Sequence, residues 1–446
     1  NGVLEQVTDL GGGFSRYEWK NRHPIDYYLI SVSVARYVEY NVYANPVGAP
    51  NPILIQNYIY DNPETLPYFQ DDIDETVDFM ELFYDLYGPY PFEDEKYGHC
   101  MAPFSGGMEH QTMTTQGFFN KGLTSHELGH QWWGDHVTCA SWCDIWINEG
   151  FASYSEYLML ENLYPNEKDG HMVDVHDNVM NQNGGSVWVL DSLNENRIFS
   201  GRLTYDKGAA IIHSMRYMIN DDELFFQVLK DFQITYADGT AYGIDFKNAL
   251  ESASGMDFTD FFEQWYFGEG YPSYSIEWEQ IESDLSIQIN HTSSKPNVTP
   301  TFTSDLDVRF QRLGLPDTTI RFSISSNNEV FNIDGIGSIT GVISIDPENW
   351  IINESGSITG NDITGLESAS EREKIYFSPN PSDGVFYIEN LNSPAHIIVR
   401  DMNGKIRKQT DVLPNEIIDI KELGKGSYVI ELQISKYIKR LKLITF

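Results

Sequence analysis

The spacing of apolar residues changes twice along the chain. Alternating apolar and polar positions run through the first 45 residues, as at 27–34, and predict β-strands. From about residue 71 to 268, apolar residues recur every three to four positions, which indicates amphipathic helices. The clearest helical stretches are 74–87, 151–163, 205–219, 222–236 and 258–267. After the turn-rich segment 268–272 the alternation returns, which predicts a β-sandwich of roughly ninety residues.

A polar stretch rich in Gly and Ser separates a last small module from the rest of the chain. It has no periodicity, which is typical of a linker, and the text beyond it shows short strands between Gly, Asn and Asp turns. We therefore predict five regions, which are the end of an N-terminal β domain (1–45), a mostly α domain (46–270), a β-sandwich (271–353), a linker (354–373) and a small all-β C-terminal domain (374–446).

Composition and charge exclude several classes of protein. A chain of 446 residues with 41% hydrophobic and 14% aromatic residues is not mainly disordered. The net charge of −37 would repel nucleic acid and anionic membrane surfaces, and no apolar run reaches the roughly 18 residues that a bilayer span needs. We therefore expect no nucleic-acid partner and no membrane insertion. Three cysteines are too few for a disulfide framework.

One segment carries the residue pattern of a metal site. Residues 126–130 read His-Glu-Leu-Gly-His on helical text, so His126 and His130 share a helix face and can bind one ion. Glu127 stands between them, where its carboxylate can reach a water on that ion. A catalytic zinc site needs a third protein ligand, and Glu149 at the start of the next helix is the candidate.

The alternative is that both histidines are ordinary buried residues and that 124–127 form a helix-start capping box. A spaced H-E-x-x-H with a Glu at one fixed later position arises by chance on the order of once per thousand such chains. The zinc interpretation is therefore favoured. The pair His171 and His176, five residues apart, do not share a helix face well and are expected on the surface.

Three motifs in this order resemble the aminopeptidase N family, the gluzincin aminopeptidases. Residues 124–135, TSHELGHQWWGD, and 144–152, DIWINEGFA, are similar to the family's zinc core. Residues 106–110, GGMEH, are similar to the family's exopeptidase motif. Residues 203–208, LTYDKG, are similar to the segment that carries the family's catalytic tyrosine. The likeness covers about residues 20 to 290. It implies a thermolysin-like catalytic domain, one Zn²⁺ per chain, peptide substrates, and an N-terminal β-saddle domain that is largely absent.

Carried over residue by residue, the resemblance implies a role for each motif position. The implied zinc ligands are His126, His130 and Glu149, the catalytic residues are Glu127 as general base and Tyr205 as oxyanion donor, and the substrate-binding residues are Gly106, Gly107, Met108 and Glu109. Glu109 would bind the free α-amine, while His110 departs from the family's usual Asn. The alternatives are a core-packed Tyr205 and a solvated Glu109. Glu156 is either an acceptor for a ligand histidine or an exposed helix residue.

The C-terminal region resembles a second family. Residues 377–384, 401–405 and 423–429 are similar to the C-terminal sorting domain of proteins exported by the Bacteroidetes type nine secretion system. This resemblance implies a secreted or cell-surface protein that meets the secretion machinery through this domain. The alternative is a generic accessory β-sandwich that binds carbohydrate or a surface.

Together these features predict a secreted zinc-dependent aminopeptidase that hydrolyses N-terminal residues from peptides. Two alternatives stay open. One is another zinc hydrolase on the same scaffold, an endopeptidase or an epoxide hydrolase. The other is a non-catalytic surface-binding protein, which is disfavoured because base, ligands and tyrosine are all present.

Overall fold

The computed structural model describes residues 1–103, 105–362, 375–391, 394–402, 404–434 and 437–446. Helices hold 30% and strands 34% of the residues, so the prediction of a mostly α fold is not confirmed. Strands occur inside the region predicted to be helical because some of its apolar residues follow a period of two. Ile53–Tyr60 shows this clearly, with buried and half-buried positions alternating along its whole length.

The first residues form a β-hairpin and an irregular connection. Strands β1 (Val3–Gly11) and β2 (Phe14–Lys20) pair antiparallel and are mostly exposed. The strand predicted at 27–34 is wrong, since Tyr27–Leu29 is a single 3₁₀ turn and the residues after it are irregular. The apolar positions Val32 and Val34 are 87% and 92% exposed, so the alternation there does not correspond to a buried sheet face.

A five-stranded sheet follows, with the order β3-β4-β5-β7-β6. Its strands are β3 (Tyr37–Ala44), β4 (Ile53–Tyr60), β5 (Tyr97–Met101), β6 (Gly107–Met108) and β7 (Thr114–Gln116), and the helices α1 (Thr65–Asp74) and α2 (Thr76–Tyr87) connect β4 to β5. Strands β3 and β4 pair antiparallel, so the domain boundary predicted at 45/46 divides a hairpin. Strand β6 lies at the sheet edge and carries part of the predicted exopeptidase motif.

Helices dominate the next stretch, from Lys121 to Tyr266. The elements are α3 (Lys121–Gly129), β8 (Val137–Cys139), a 3₁₀ turn (Trp142–Asp144), α4 (Trp146–Leu163), α5 (Lys168–Met180), α6 (Glu195–Ile198), a π-helical turn (Gly201–Asp206), α7 (Lys207–Ile219), α8 (Asp222–Thr235), β9 (Gly239–Ala241), α9 (Gly243–Ser254), α10 (Thr259–Phe261) and a second π-helical turn (Phe262–Tyr266). Helix α4 is buried on nearly every side. The surface position predicted for His176 is wrong, because α5 turns that residue into the core.

Two sheets then face each other across a shared apolar cluster. Their strands are β10 (Pro272–Ile281), β11 (Asp284–Ser293), β12 (Ser304–Arg312), β13 (Thr318–Ile324), β14 (Asn328–Ile333), β15 (Ile339–Ile345) and β16 (Glu354–Asp362), in the orders β14-β11-β10-β16 and β13-β12-β15. The linker prediction is wrong for 354–362, because β16 pairs parallel with β10. As an edge strand with mostly exposed side chains, β16 keeps a polar composition. Residues 363–373 lie outside the described part of the chain.

The C-terminal region is all β, as predicted, and has its own apolar core. Its strands are β17 (Tyr376–Ser378), β18 (Val385–Glu389), β19 (Ala395–Asp401), β20 (Ile406–Val412), β21 (Ile418–Asp419), β22 (Gly426–Ile434) and β23 (Tyr437–Thr445), with a 3₁₀ turn at Lys421–Leu423. They form the sheets β17-β18-β21 and β20-β19-β22-β23. Across the described residues, no helix combines the length and the apolar character that a bilayer span requires.

Helices α4 and α7 touch backbone to backbone at a pair of glycines. A Cβ on Gly208 would lie 3.0 Å from the Cα of Gly150, and a Cβ on Gly150 would lie 3.1 Å from the Cα of Gly208. Gly150 directly follows Glu149, and Gly208 lies three residues after Tyr205. The glycine pair therefore fixes how close two of the predicted site residues come.

We expect Gly208→Ala to lower the free energy of unfolding by about 1–3 kcal/mol, because its methyl group must push α4 and α7 apart. Gly170→Ala in α5 is the matched control, since a Cβ there meets nothing within 4 Å and alanine favours a helix by up to about 1 kcal/mol. Urea denaturation of the two variants measures the difference. Equal stabilities would contradict the close-contact argument.

Candidate active site

Three side chains converge at the ends of two packed helices. His126 lies in the last turn of α3, His130 caps that helix, and Glu149 lies in the first turn of α4. The two Nε2 atoms are 3.2 Å apart, and Glu149 Oε2 lies 3.2 Å from His130 Nε2 and 3.5 Å from His126 Nε2. Two ligands bound at 2.0–2.1 Å on a tetrahedral zinc ion are separated by about 3.3 Å. The triangle formed by the three atoms has the size that a zinc ion requires.

The hydrogen bonds of the two histidines also fit a metal. The Nδ1 atom of His126 lies 2.9 Å from Glu156 Oε1, and that of His130 lies 3.0 Å from the carbonyl oxygen of Trp133. Both partners are acceptors, so each Nδ1 carries the proton and each Nε2 is left with a free electron pair. The electron pairs of His126 Nε2, His130 Nε2 and Glu149 Oε2 then face one another in a buried space. A cation bound between these three atoms would remove their mutual repulsion. Glu156 is therefore the hydrogen-bond acceptor of a histidine in the triad. This position agrees with the first of the two interpretations of Glu156 that the sequence left open.

The charges around the triad favour a cation at its centre. Burial opposes protonation of both histidines, yet the carboxylates of Glu149 and Glu156 raise the pKa of His126 well above its usual range. The charges of Glu109 and Glu149 likewise raise the pKa of His130 to about 9. Burial opposes ionisation of Glu149, but the imidazoles hold its pKa below the usual range. A zinc ion competes with protons for this cluster, as metal ions do at any His and carboxylate site.

Glu127 points into the same space from α3. Burial raises the pKa of its carboxyl to about 8, against the lowering effect of the two histidines. Its Oε2 atom has no hydrogen-bond partner among the described residues. A Cβ on Gly107 would lie 2.2 Å from Glu127 Oε1, so only glycine at this position of β6 leaves room for the carboxylate. The side chain of Glu127 thus excludes any residue larger than glycine at position 107 of this motif.

Glu109 follows β6 and lines the cavity beside the triad. Its carboxyl is buried, and burial together with the charge of Glu149 raises its pKa, partly offset by His130. Met108 also lines the cavity, whereas Gly106 forms the turn before β6 with φ of 109°. His110 turns toward Thr115, with 2.8 Å between Nδ1 and Oγ1, and is not among the described residues that line the cavity.

Tyr205 lies in the π-helical turn Gly201–Asp206 and faces the triad. Its ring stacks on His126 with 5.9 Å between centroids and 12° between planes. Burial, followed by the charge of Glu149, raises the pKa of its hydroxyl far above the usual range, so the hydroxyl keeps its proton. π-Helical turns are rare and often occur at functional positions. The core-packed alternative for Tyr205 does not fit a side chain that lines the cavity.

Two cations anchor the turn that carries Tyr205. Arg202 Nη2 donates to the carbonyl oxygen of Gly184 at 2.7 Å, and the buried Lys207 Nζ donates to that of Gly185 at 3.1 Å. Both bonds tie the π-helical turn to the loop after α5. The turn is therefore held from the side opposite to the metal triad as well as through Gly208.

A cavity of about 760 Å³ opens over these groups. It is lined by Tyr28, Gly107, Met108, Glu109, Asn120, Gly122, Leu123, His126, Glu127, His130, Trp142, Ile145, Glu149, Glu156, Phe199 and Tyr205. The sequence alone does not identify Tyr28, Leu123, Trp142, Ile145 and Phe199 as cavity residues, since single apolar residues are indistinguishable from core residues. Cys100, Cys139 and Cys143 are all free thiols and take no part in the metal group.

Two family models match the chain. Residues 109–265 match the peptidase family M1 domain, and residues 374–445 match the secretion system C-terminal sorting domain. Both predicted resemblances are thereby confirmed. M1 zinc metallopeptidases use Zn²⁺, and this chain has a buried His-His-Glu triad that could hold the ion, so Zn²⁺ is the cofactor.

Curated relatives match over part of their length. Aminopeptidase N of Lactococcus lactis subsp. lactis is 31% identical over 167 residues, which is 35% of this chain and 19% of the relative. Glutamyl aminopeptidase of Mus musculus is 25% identical over 335 residues, which is 70% of this chain and 33% of the relative. The chain thus spans about a fifth to a third of the length of these relatives.

Solved structures share the fold. Aminopeptidase A of Legionella pneumophila in complex with aspartic acid has a TM-score of 0.67 at 16% identity, covering 80% of this chain and 42% of that one. An M1 zinc metallopeptidase from Deinococcus radiodurans bound to the substrate Tyr-Ser-Ala has a TM-score of 0.50 at 22% identity, covering 57% of each chain.

We expect Glu156→Ala to weaken zinc binding roughly 10–100-fold, because His126 loses the acceptor that fixes its tautomer and ring orientation. Competition with a chromogenic chelator measures the dissociation constant. The exposed Glu223→Ala in α8 is the matched control and should bind zinc normally, whereas His130→Ala should retain none. Unchanged affinity in Glu156→Ala would remove that residue from the support of the metal site.

Proposed function

We propose that this chain, which contains a peptidase family M1 domain and a C-terminal sorting domain, is a secreted zinc-dependent aminopeptidase that removes N-terminal residues from peptides. One observation carries the proposal. The metal triad, an unpartnered buried Glu127 and a second buried carboxylate, Glu109, all face one cavity. A hydrolytic centre thus lies beside a group that suits a free amine.

Glu127 is the proposed general base. Zinc, when bound, polarises the scissile carbonyl and makes a water molecule acidic enough to attack near neutral pH. Beside a bound metal ion, the adjacent positive charge lowers the pKa that burial raises, so Glu127 is ionised and its Oε2 can accept the proton of the attacking water. The same carboxyl then delivers the proton to the leaving nitrogen. One side chain thus moves the proton from nucleophile to leaving group.

Tyr205 is the proposed oxyanion donor. Its hydroxyl stays protonated because burial and Glu149 raise its pKa, so it can donate a hydrogen bond at any pH at which the peptide is hydrolysed. The carbonyl oxygen of the scissile bond gains negative charge as water attacks. A hydrogen bond that strengthens at that moment lowers the barrier more than it tightens substrate binding.

Glu109 is the proposed amine-binding residue. A carboxylate at this position of the cavity can accept a charge-assisted hydrogen bond from the ammonium group of a free N-terminus. A blocked N-terminus leaves the buried carboxylate without its partner, which is costly. The residue therefore favours cleavage of the first peptide bond, and Gly107 and Met108 border the same place.

The sorting domain supports secretion as the second half of the proposal. Its described strands have a separate apolar core, and it carries the family signature over its whole length. We propose that this domain meets the secretion machinery and that the peptidase works outside the cell or on its surface.

We expect Glu109→Ala to reduce kcat/KM for free aminoacyl reporter substrates by at least about a hundredfold and to narrow their advantage over N-acetylated ones. Steady-state kinetics on matched free and acetylated reporters measure the ratio, and a chelator should abolish turnover of both. If the unmodified chain cleaves acetylated peptides internally as well as it trims free ones, Glu109 has no such role and the endopeptidase alternative leads.

Tyr205→Phe should lower kcat roughly 100–1,000-fold with little change in KM, since the hydroxyl acts mainly in the transition state. Zinc content, measured by atomic absorption, should stay at one ion per chain in this variant and in Glu127→Gln, which should lose nearly all turnover. Near-normal kcat in Tyr205→Phe would return that side chain to a packing role.

A further inference from the structure

Three large aromatic side chains line the cavity, and more than a third of each remains exposed to solvent. Tyr28 is 37% exposed, Trp142 is 44% exposed and Phe199 is 43% exposed. The rings of Tyr28 and Trp142 have centroids 6.4 Å apart, and those of Trp142 and Phe199 are 6.0 Å apart. They form a continuous surface, here termed the aromatic wall. Apolar area of this kind is left in water unless a ligand covers it.

The aromatic wall passes the groups that would hold a peptide's first residue. Tyr28 lies close to Glu109, whose charge adds to burial in raising the pKa of the Tyr28 hydroxyl. Trp142 belongs to the turn that leads into α4, and Phe199 lies just before the turn of Tyr205. The wall therefore lines the same cavity as the proposed amine-binding carboxylate Glu109, the triad residue Glu149 and the proposed oxyanion donor Tyr205.

This placement determines what the wall touches in a bound peptide. When the α-amine is on Glu109 and the first carbonyl is at the metal triad, the Cα between them carries the first side chain. That side chain starts between Glu109 and the triad, where Ile145 and Met108 also line the cavity. The apolar side chains available to it in the cavity are the wall, Met108, Ile145 and Leu123.

Charge in the cavity works against an acidic first residue. The lining groups include four glutamates, and neither lysine nor arginine is found among the described residues that line the cavity. A substrate carboxylate would be desolvated near like charges, without a lysine or arginine among the described lining residues to pair with it. A basic first side chain would have to compete for glutamates that already have partners. These partners are the metal triad for Glu149, His126 for Glu156 and the α-amine for Glu109.

We propose that the aromatic wall makes this enzyme selective for peptides whose N-terminal residue has a large apolar side chain, such as phenylalanine or leucine, and that it rejects acidic ones. The inference rests on the proposed aminopeptidase function and extends it to a substrate class. Covering a Phe or Leu side chain against the wall favours these substrates over alanine by roughly 10–100-fold in kcat/KM.

The test measures kcat/KM for phenylalanyl, leucyl, alanyl, arginyl and glutamyl reporters in the full chain and in wall variants. Phe199→Ala and Trp142→Ala should each lower the phenylalanyl-to-alanyl ratio of kcat/KM about tenfold. Leu193→Ala is the matched control, since this residue is 94% exposed and does not line the cavity. Far-ultraviolet circular dichroism checks folding, and Tyr28→Ala replaces any wall variant that fails to fold.

A binding measurement separates this inference from the proposed function. Isothermal titration of phenylalanine amide and alanine amide into zinc-loaded Glu127→Gln, with and without Phe199→Ala, reports on the wall without turnover. Tighter binding of phenylalanine amide that is lost with Phe199→Ala supports the wall even if the unmodified chain proves to be an endopeptidase. The inference is overturned if the two amides bind alike, if glutamyl reporters are cleaved best, or if the wall variants leave the phenylalanyl-to-alanyl ratio unchanged. Cleavage of no aminoacyl reporter at all counts against the proposed function alone.

Discussion

The active site depends on how closely the backbones around α4 approach one another. On one side, a Cβ on Gly129 of α3 would lie 2.6 Å from Ser155 Oγ of α4. On another side, Gly150 of α4 meets Gly208 of α7 at a distance that excludes any side chain between them. Small residues at these contacts bring together His126 and His130 from α3, Glu149 from the start of α4 and the turn that carries Tyr205 before α7. The packing of three helices thus fixes the distances within a group of side chains that could hold one metal ion.

The same packing places four glutamates around one cavity, and this concentration of negative charge determines how the site can bind a cation. Glu109, Glu127, Glu149 and Glu156 all border one cavity of the protein. Buried carboxylates in such proximity repel one another and favour either protons or a cation in their midst. The two imidazoles supply positive charge to this group, and the four carboxylates meet it differently. Glu149 Oε2 lies against both histidines, Glu156 lies against His126 Nδ1, and Glu109 and Glu127 line the cavity. Their roles differ because their neighbours differ, although the residue type is the same.

The metal triad could be predicted from the sequence because helix geometry fixes the relation between His126 and His130 before any tertiary contact forms. Glu149 could be named only as a candidate from the need for a third ligand, and the resemblance to a family supported it, since nothing local places a residue 19 positions later beside them. The aromatic wall could not be predicted, because Tyr28, Trp142 and Phe199 come from three separate connections that only the fold brings together. The strand expected at 27–34 failed because alternation alone does not provide a neighbouring strand. The linker expected at 354–362 failed because backbone pairing with β10 tolerates polar side chains at a sheet edge.

The parallel pairing of β10 and β16 also determines where the chain leaves the sandwich. Strand β10 begins at Pro272, directly after the catalytic region, and Ser273 pairs with Glu354 at that end. At the other end Gln280 pairs with Asp362, so β16 ends beside the end of β10 that leads away from the catalytic region. The offset along the strands is about 25 Å. The chain therefore enters the sandwich at one end of this strand pair and completes β16 about one strand length away, so the sandwich separates the catalytic region from the point at which β16 ends.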